Sequence, residues 1–157
     1  MRPLLPTDAD AYAALVRRAF AAWQVDPAPS ALRVTGDDIR AHLAAGGGGV
    51  TTAPDIAGLL WSEKDGGLYI SRVAVDPAHR RQGLANRMLA AAQSEATRRG
   101  LPHLWLSTRL AMTGNRRLFC GFGFEETTQH AHPGYSEPTF VDMMKRIRHE
   151  LLEPSDV

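Results

Sequence analysis

Two adjacent arginines, Arg80 and Arg81, precede a run of small residues, Gly83-Leu84-Ala85-Asn86, with only Gln82 between them. The segment from Leu68 to Asn86 reads as a buried strand, a turn at Asp76-Pro77, a tight basic loop and the first turn of a helix. A helix start presents backbone N–H groups without intrahelical acceptors, together with the positive end of the helix dipole, so it is a place for an anion. Gly83 has no Cβ and Ala85 has little more, which lets an oxygen-rich ligand approach the backbone. The two guanidiniums add charge-assisted hydrogen bonds of roughly 1.5–3 kcal/mol each. They also oppose the dipole, a cost that an arriving anion relieves. This chemistry suits a pyrophosphate. The absence of G-x-G-x-x-G argues against a Rossmann site, and the absence of G-x-x-x-x-G-K-[ST] excludes a P-loop.

Groups able to accept a proton are scattered more widely: Glu63, Asp65, Tyr69, Ser71, Glu125, His130 and His132. Arg72 and Arg109 fall on or beside central strands, where a charge needs either a carboxylate or an anionic ligand. Trp23, Phe20 and Trp61 could line an acceptor entrance, although aromatic residues at such spacing are more often core. His130, His132 and Tyr135 lie in the polar segment 129–138. The two histidines share a side if that segment is extended, but no third ligand stands at a suitable spacing and no metal is expected. Cys120 is the single cysteine. It allows no internal disulfide or multi-cysteine zinc site, and without a His or Asp partner it argues against a covalent intermediate. Lys145, Arg146, Arg148 and His149 read as a solvated run.

The elements that must position these groups follow from periodicity. Thr7-Asp8-Ala9-Asp10 resembles a capping box, and Tyr12, Leu15, Val16, Ala19, Phe20 and Trp23 make one apolar face over residues 8–23. Thr35-Gly36-Asp37-Asp38 repeats the capping pattern before a short helix, which Gly46 to Gly49 end. Strands are expected at 50–53, 56–62 and 68–75, a long helix over 83–99, a strand at 103–108, a short helix at 114–121, and closing strands at 122–128 and 139–147. The order βααβββαβαββ implies a mixed α/β (α+β) fold with a mostly antiparallel sheet of about seven strands and helices on both faces.

At 157 residues and 44% hydrophobic content the chain is one domain's worth, residues 1–157, able to bury roughly two-thirds of its unfolded surface. Lys plus Arg total 18 against 17 for Asp plus Glu. That balance argues against a nucleic-acid or membrane-surface binder. No apolar run reaches the roughly 20 residues of a membrane span, and Met1 to Pro6 does not suit a signal peptide. The expectation is a cytoplasmic protein, with a homodimer left open.

The residues also resemble a known family. Val73-Ala74-Val75-Asp76-Pro77 followed by Arg80-x-x-Gly83-x-Ala85 is similar to the acetyl-CoA signature of the GNAT N-acetyltransferases, R/Q-x-x-G-x-G/A. The likeness extends to Arg2-Pro3 with the first helix, to Leu104-Trp105-Leu106, and to Gly123-Phe124-Glu125. It implies acetyl-CoA as cofactor and direct transfer to an amine-bearing small molecule or peptide in a ternary complex. Val73, Ala74 and Val75 would then lie beside the pantetheine arm, and Arg80, Arg81, Gln82, Gly83, Leu84, Ala85 and Asn86 would surround the pyrophosphate. Asn115 and Phe119 would complete the cofactor site. Trp23, Arg72, Arg109, His130, His132 and Tyr135 would face the acceptor.

Two departures from the family pattern bear on mechanism. The Tyr that commonly stands five residues before the Phe of the G-F pair, as general acid to the thiolate, is Phe119 here. The Asn seven residues earlier is Met112, with Asn115 four before Phe119 as a substitute contact. A thiolate with a pKa near 8.5 leaves fairly well unaided, so losing a factor of about 10²–10⁴ slows transfer without forbidding it. Cys120, Tyr135 or water are the possible replacements. Deprotonating an alkylammonium of pKa about 10.4 costs about 4–5 kcal/mol at pH 7, so a base or water chain is needed. Ser107 stands where many relatives carry a Glu, and Glu63 is a further candidate. The alternative is a non-catalytic acyl-CoA-binding module on the same fold.

Overall fold

In the computed structural model of the chain, the strand-like pattern between residues 50 and 75 becomes three consecutive antiparallel strands at the heart of a seven-stranded sheet. Residues 1–148 are described; His149 of the basic run and residues 150–157 lie outside them. The elements are β1 (Arg2–Pro3), α1 (Ala9–Ala21), α2 (Gly36–Ala44), β2 (Gly48–Ala53), β3 (Ala57–Lys64), β4 (Gly67–Val75), α3 (Leu84–Arg98), β5 (His103–Arg109), α4 (Thr113–Phe122), β6 (Glu125–His130) and β7 (Phe140–Arg146). The spatial order is β1-β2-β3-β4-β5-β7-β6, antiparallel throughout except for β4 beside β5. Element order and sheet type are those expected. No helix among the described residues is long and apolar enough to cross a membrane.

Each face of the sheet has its own core. Tyr12, Leu15 and Val16 of α1 join Ile39 of α2, Leu60 and Ala74 on one side. Met88, Leu89, Ala92 and Ala96 of α3 pack on Leu59, Leu68, Ile70, Leu104 and Leu106 on the other. Each such Leu or Met contributes roughly 1.5–3 kcal/mol by leaving water. The α3 stripe is the one its 3.6-residue period predicts.

Two local expectations change and one holds. Asp8 does not cap α1; its carboxylate takes both amino groups of Arg2 at 2.7 and 2.8 Å and the Leu5 N–H at 2.8 Å, fastening β1. Thr35 and Asp38 do form the reciprocal cap of α2, at 3.2 and 2.9 Å. Gly48 and Gly49 are not a flexible linker but the first residues of β2, because their space is taken. A Cβ on Gly49 would lie 2.3 Å from the Leu59 carbonyl oxygen, and one on Gly48 would lie 2.6 Å from the Trp61 indole nitrogen. Trp61 is accordingly a core residue, 8% exposed, and lines no acceptor entrance.

The feature that makes room for a site is a disruption of β4. Gly58 faces Ala74 and Leu60 faces Ser71, so β4 spends three steps where β3 spends two, which is a bulge at Arg72 and Val73. The extra residue flips the parity of the strand. Leu68 and Ile70 face the α3 core before it; Val73 and Val75 lean on that core after it, while Ala74 turns to α1. Arg72 holds a left-handed φ of 54°, and the buried Tyr12 hydroxyl donates to its carbonyl oxygen. β4 pairs with β5 only at Leu68–Leu104 and Tyr69–Trp105, so beyond Tyr69 the two strands part.

Candidate active site

The gap between β4 and β5 connects two clefts. The narrower, about 550 Å³, runs along Val73 and Val75 to the loop 79–81 and the start of α3, with Trp23, Gly114, Asn115 and Phe119 opposite. The wider, about 910 Å³, lies over Tyr69, Ser71, Arg72, Ser107 and Arg109, walled by residues 27–31 and 131–133. Phe20, Val73, Asn115 and Phe119 line both clefts, so they mark the junction.

The α3 end of the narrow cleft has the chemistry to receive an anion. The α3 start has no side-chain cap and no acidic residue in its first turn, and its first intrahelical bond is Arg87 N–H to the Gly83 carbonyl at 3.1 Å. The N–H groups ahead of Arg87 are therefore available. Arg81 and Gly83 take left-handed φ values of 64° and 74°, which turn the chain sharply into the helix. Nothing lies within 4 Å of a Cβ built on Gly83, so the approach to this backbone is open. The Arg80 guanidinium donates to the Ala19 carbonyl at 3.4 Å, tying the loop to the end of α1.

The model of the Acetyltransferase (GNAT) family matches residues 8–124. The chain belongs to the GNAT acetyltransferase family. Membership of an acetyltransferase family disfavours the non-catalytic alternative. Over 56 residues, 36% of the chain, it is 38% identical to the [ribosomal protein bS18]-alanine N-acetyltransferase of Haemophilus ducreyi, and the match spans 39% of that protein's length. Its fold is that of the Escherichia coli ribosomal-protein-S18-alanine N-acetyltransferase, with a TM-score of 0.68, 20% identity and coverage of 96% and 95% of the two chains. The NatC complex bound to Gag peptide and CoA gives a TM-score of 0.68 at 16% identity, with 94% and 97% covered.

Measured against this GNAT frame, the cofactor candidates cluster well. Val73, Val75, Arg80, Arg81, Gly83, Leu84, Ala85, Asn86, Asn115 and Phe119 all line the narrow cleft. Ala74 does not; the bulge turns its side chain under α1, where it is 1% exposed. Gln82 is exposed at the tip of the loop and lines neither cleft. Trp23, expected on the acceptor side, lies in the narrow cleft, because α1 ends beside α4 and the indole sits against Gly114. His79 lines the same cleft, with its Nδ1 3.1 Å from Asp76; the sequence reading passed it over.

The catalytic candidates scatter. Glu63 sits near the β3–β4 turn, opposite Leu68, and forms an ion pair with Arg99 at 3.1 Å, away from both clefts. Ser107 lines the wide cleft but donates to Asp142 at 2.6 Å across the β5–β7 ladder. His130 approaches the other oxygen of Asp142 at 2.7 Å and does not line the cleft. Tyr135 is exposed, its hydroxyl donating to Asp26 at 2.6 Å. His132 does line the wide cleft, its ring beside Phe140 and hydrogen-bonded to the Thr139 hydroxyl. Burial first, and the Arg109 charge second, hold His132 below the usual imidazole pKa. Tyr69 is pushed the opposite way, its phenol raised by burial. Among the described residues no three His, Cys, Asp or Glu side chains gather as a metal site.

Proposed function

We propose that the narrow cleft holds acetyl-CoA, the wide cleft holds an amine acceptor, and transfer occurs directly at their junction beside Val73, Asn115 and Phe119. The observation that carries this reading is the meeting of two clefts of different chemistry at one gap in the sheet. When bound, acetyl-CoA supplies an acyl group activated as a thioester. The uncapped α3 start with Arg80 and Arg81 holds the diphosphate. The β4 edge beyond Tyr69, freed from β5, offers main-chain groups to an extended pantetheine arm. His132 accepts the amine proton, directly or through one water. Among the side chains lining the wide cleft it is the one whose neutral form prevails at pH 7 and can still take a proton. Phe119 offers no proton, so the thiolate departs by virtue of its own low basicity. The acceptor class includes peptide N-termini, as the ribosomal-protein acetyltransferase relatives illustrate, and small amines.

The test is a thermal melt with and without acetyl-CoA. At a concentration 100 times Kd, binding stabilises the protein by about 2.7 kcal/mol, several degrees in Tm. No shift at millimolar acetyl-CoA would overturn the reading. Release of free CoA thiol in the presence of amines then reports transfer.

A further inference from the structure

The wide cleft is lined by Arg33, Arg72 and Arg109, and by no Asp or Glu. Arg72 donates to the Ser30 hydroxyl at 3.1 Å and Arg109 to the Pro27 carbonyl at 2.5 Å, both neutral acceptors. Among the described residues Arg33, Arg72 and Arg109 form no ion pair within 4 Å. The carboxylates nearest to hand are committed elsewhere. Asp38 caps α2 through the Thr35 N–H, Asp26 accepts the Tyr135 hydroxyl, and Asp142 accepts Ser107 and His130. Arg33 is exposed, whereas Arg72 and Arg109 are half-buried. Asp26 and Asp38 act on Arg109 and Arg72 only across a distance, without an ion-pair contact, which leaves charge that a bound anion would compensate more fully. Burial already depresses the Arg109 guanidinium from its usual value.

Resting on the assignment of this cleft to the acceptor, we propose that the acceptor is a small amine carrying an anionic group, a carboxylate or a phosphate, which Arg72 and Arg109 receive. The planar fork of a guanidinium matches both groups in a bidentate way. The bulge in β4 is what turns Arg72 into the cleft, next to Val73 at the junction, so the anion is held close to the reacting nitrogen. The same charges repel acceptors that are only cationic, such as polyamines, which makes the cleft selective by exclusion as well as by attraction. They also favour the neutral form of the bound amine, since a nearby like charge lowers an ammonium pKa.

The experiment compares matched acceptors by CoA-thiol release: free amino acids and ω-amino acids of increasing chain length, aminoalkyl phosphates, the corresponding amides or methyl esters, a diamine, and a neutral peptide with a free N-terminal alanine. The expected result is kcat/KM at least tenfold higher for one or more anionic amines than for their amides, with carboxylate and phosphate arms telling the two sources apart. Arg109→Gln and Arg72→Gln should each reduce the acid-to-amide ratio at least fivefold, and Arg109→Lys should restore part of it. Acetyl-CoA melting shifts retained in these variants certify the fold and the donor site. Equal or better turnover of amides, diamine or neutral peptide overturns the proposal while leaving the transferase reading intact, as does failure of every anionic amine. Loss of the acetyl-CoA shift in the unaltered protein instead overturns the transferase reading itself.

Discussion

The two clefts share Phe119 and Val73 but are built from different material. One wall of the narrow one is largely backbone within residues 73–86, namely the β4 edge beyond Tyr69, a loop with two left-handed residues and an uncapped helix start, and it is faced by side chains of residues 19–23 and 114–119. The wide one is mostly side chain, assembled from four distant stretches around residues 27–33, 69–73, 106–115 and 131–140. A backbone-built site recognises groups common to every reaction of the family, and it tolerates change in side chains. A side-chain-built site is where one member departs from another. The bulge in β4 joins them, because one extra residue both frees the edge for the narrow cleft and turns Arg72 into the wide one.

The comparison breaks most visibly at Gly83. Gly83→Val should weaken acetyl-CoA binding at least 100-fold by calorimetry, because the new side chain projects into the space where the backbone is approached. Its φ of 74° also strains any L residue, so Tm should drop by a few degrees while the melt stays cooperative. Arg80→Ala should cost only about tenfold, the value of one charge-assisted hydrogen bond. An arginine variant that loses more than the glycine variant would mean that side chains, not backbone, dominate the narrow cleft.

Next in size is His132. If it takes the amine proton, His132→Gln should lower kcat about 10²-fold with the KM for acetyl-CoA little altered. The pH profile gives the second readout. Burial and Arg109 hold the folded pKa below 6.5, so activity should rise as pH climbs through that depressed value and level off by neutrality. The variant should lose that acid limb. A limb that survives unchanged would assign the proton to another group or to water alone.

The same division explains what can be read from the sequence. The donor loop is legible because its function is local: contiguous residues, a glycine, two arginines and a helix start have the same meaning in any context. The wide cleft is not. Arg72, Arg109 and His132 stand out as polar residues in strand or loop contexts, yet nothing in their spacing says that they converge. Arg33 reads as an ordinary loop cation and is missed. Glu63 shows the converse: an acid on a central strand looks promising until its place one step from the β3–β4 turn puts it beside Arg99. The bulge itself is silent, because Leu68 to Val75 reads as one continuous strand. Its one trace is Tyr12, which periodicity assigns to the core but whose hydroxyl needs a buried acceptor.

That hydroxyl offers a smaller perturbation of both clefts together. Tyr12→Phe removes the donor to the Arg72 carbonyl and leaves a part-buried acceptor without its partner. Stability should fall by about 1 kcal/mol in urea unfolding. Because the bond braces the strained residue of the bulge, acetyl-CoA affinity and acceptor KM should both worsen, by a few-fold each. A variant that shifts one and not the other would show that the clefts are not coupled through the bulge.

The smallest effect is expected at the junction. Phe119 is 5% exposed and packs edge-on against Phe124 at 5.9 Å. Phe119→Tyr adds one hydroxyl at the position where the family pattern places its acid. Protonating a leaving group of pKa near 8.5 gains little when the assay runs near pH 8, because the thiolate is already a competent leaving group there. We expect kcat to change less than about threefold at pH 8. Any gain should be larger at pH 6.5, where a neutral thiol is the favoured product and a proton delivered in the transition state counts for more. A rise of tenfold or more at pH 8 would show that thiolate departure limits the natural enzyme. A fall of that size with acetyl-CoA binding intact would place Phe119 in the acceptor's path, where an added hydroxyl displaces the amine from the thioester, and the junction would then belong to the side-chain half of the site.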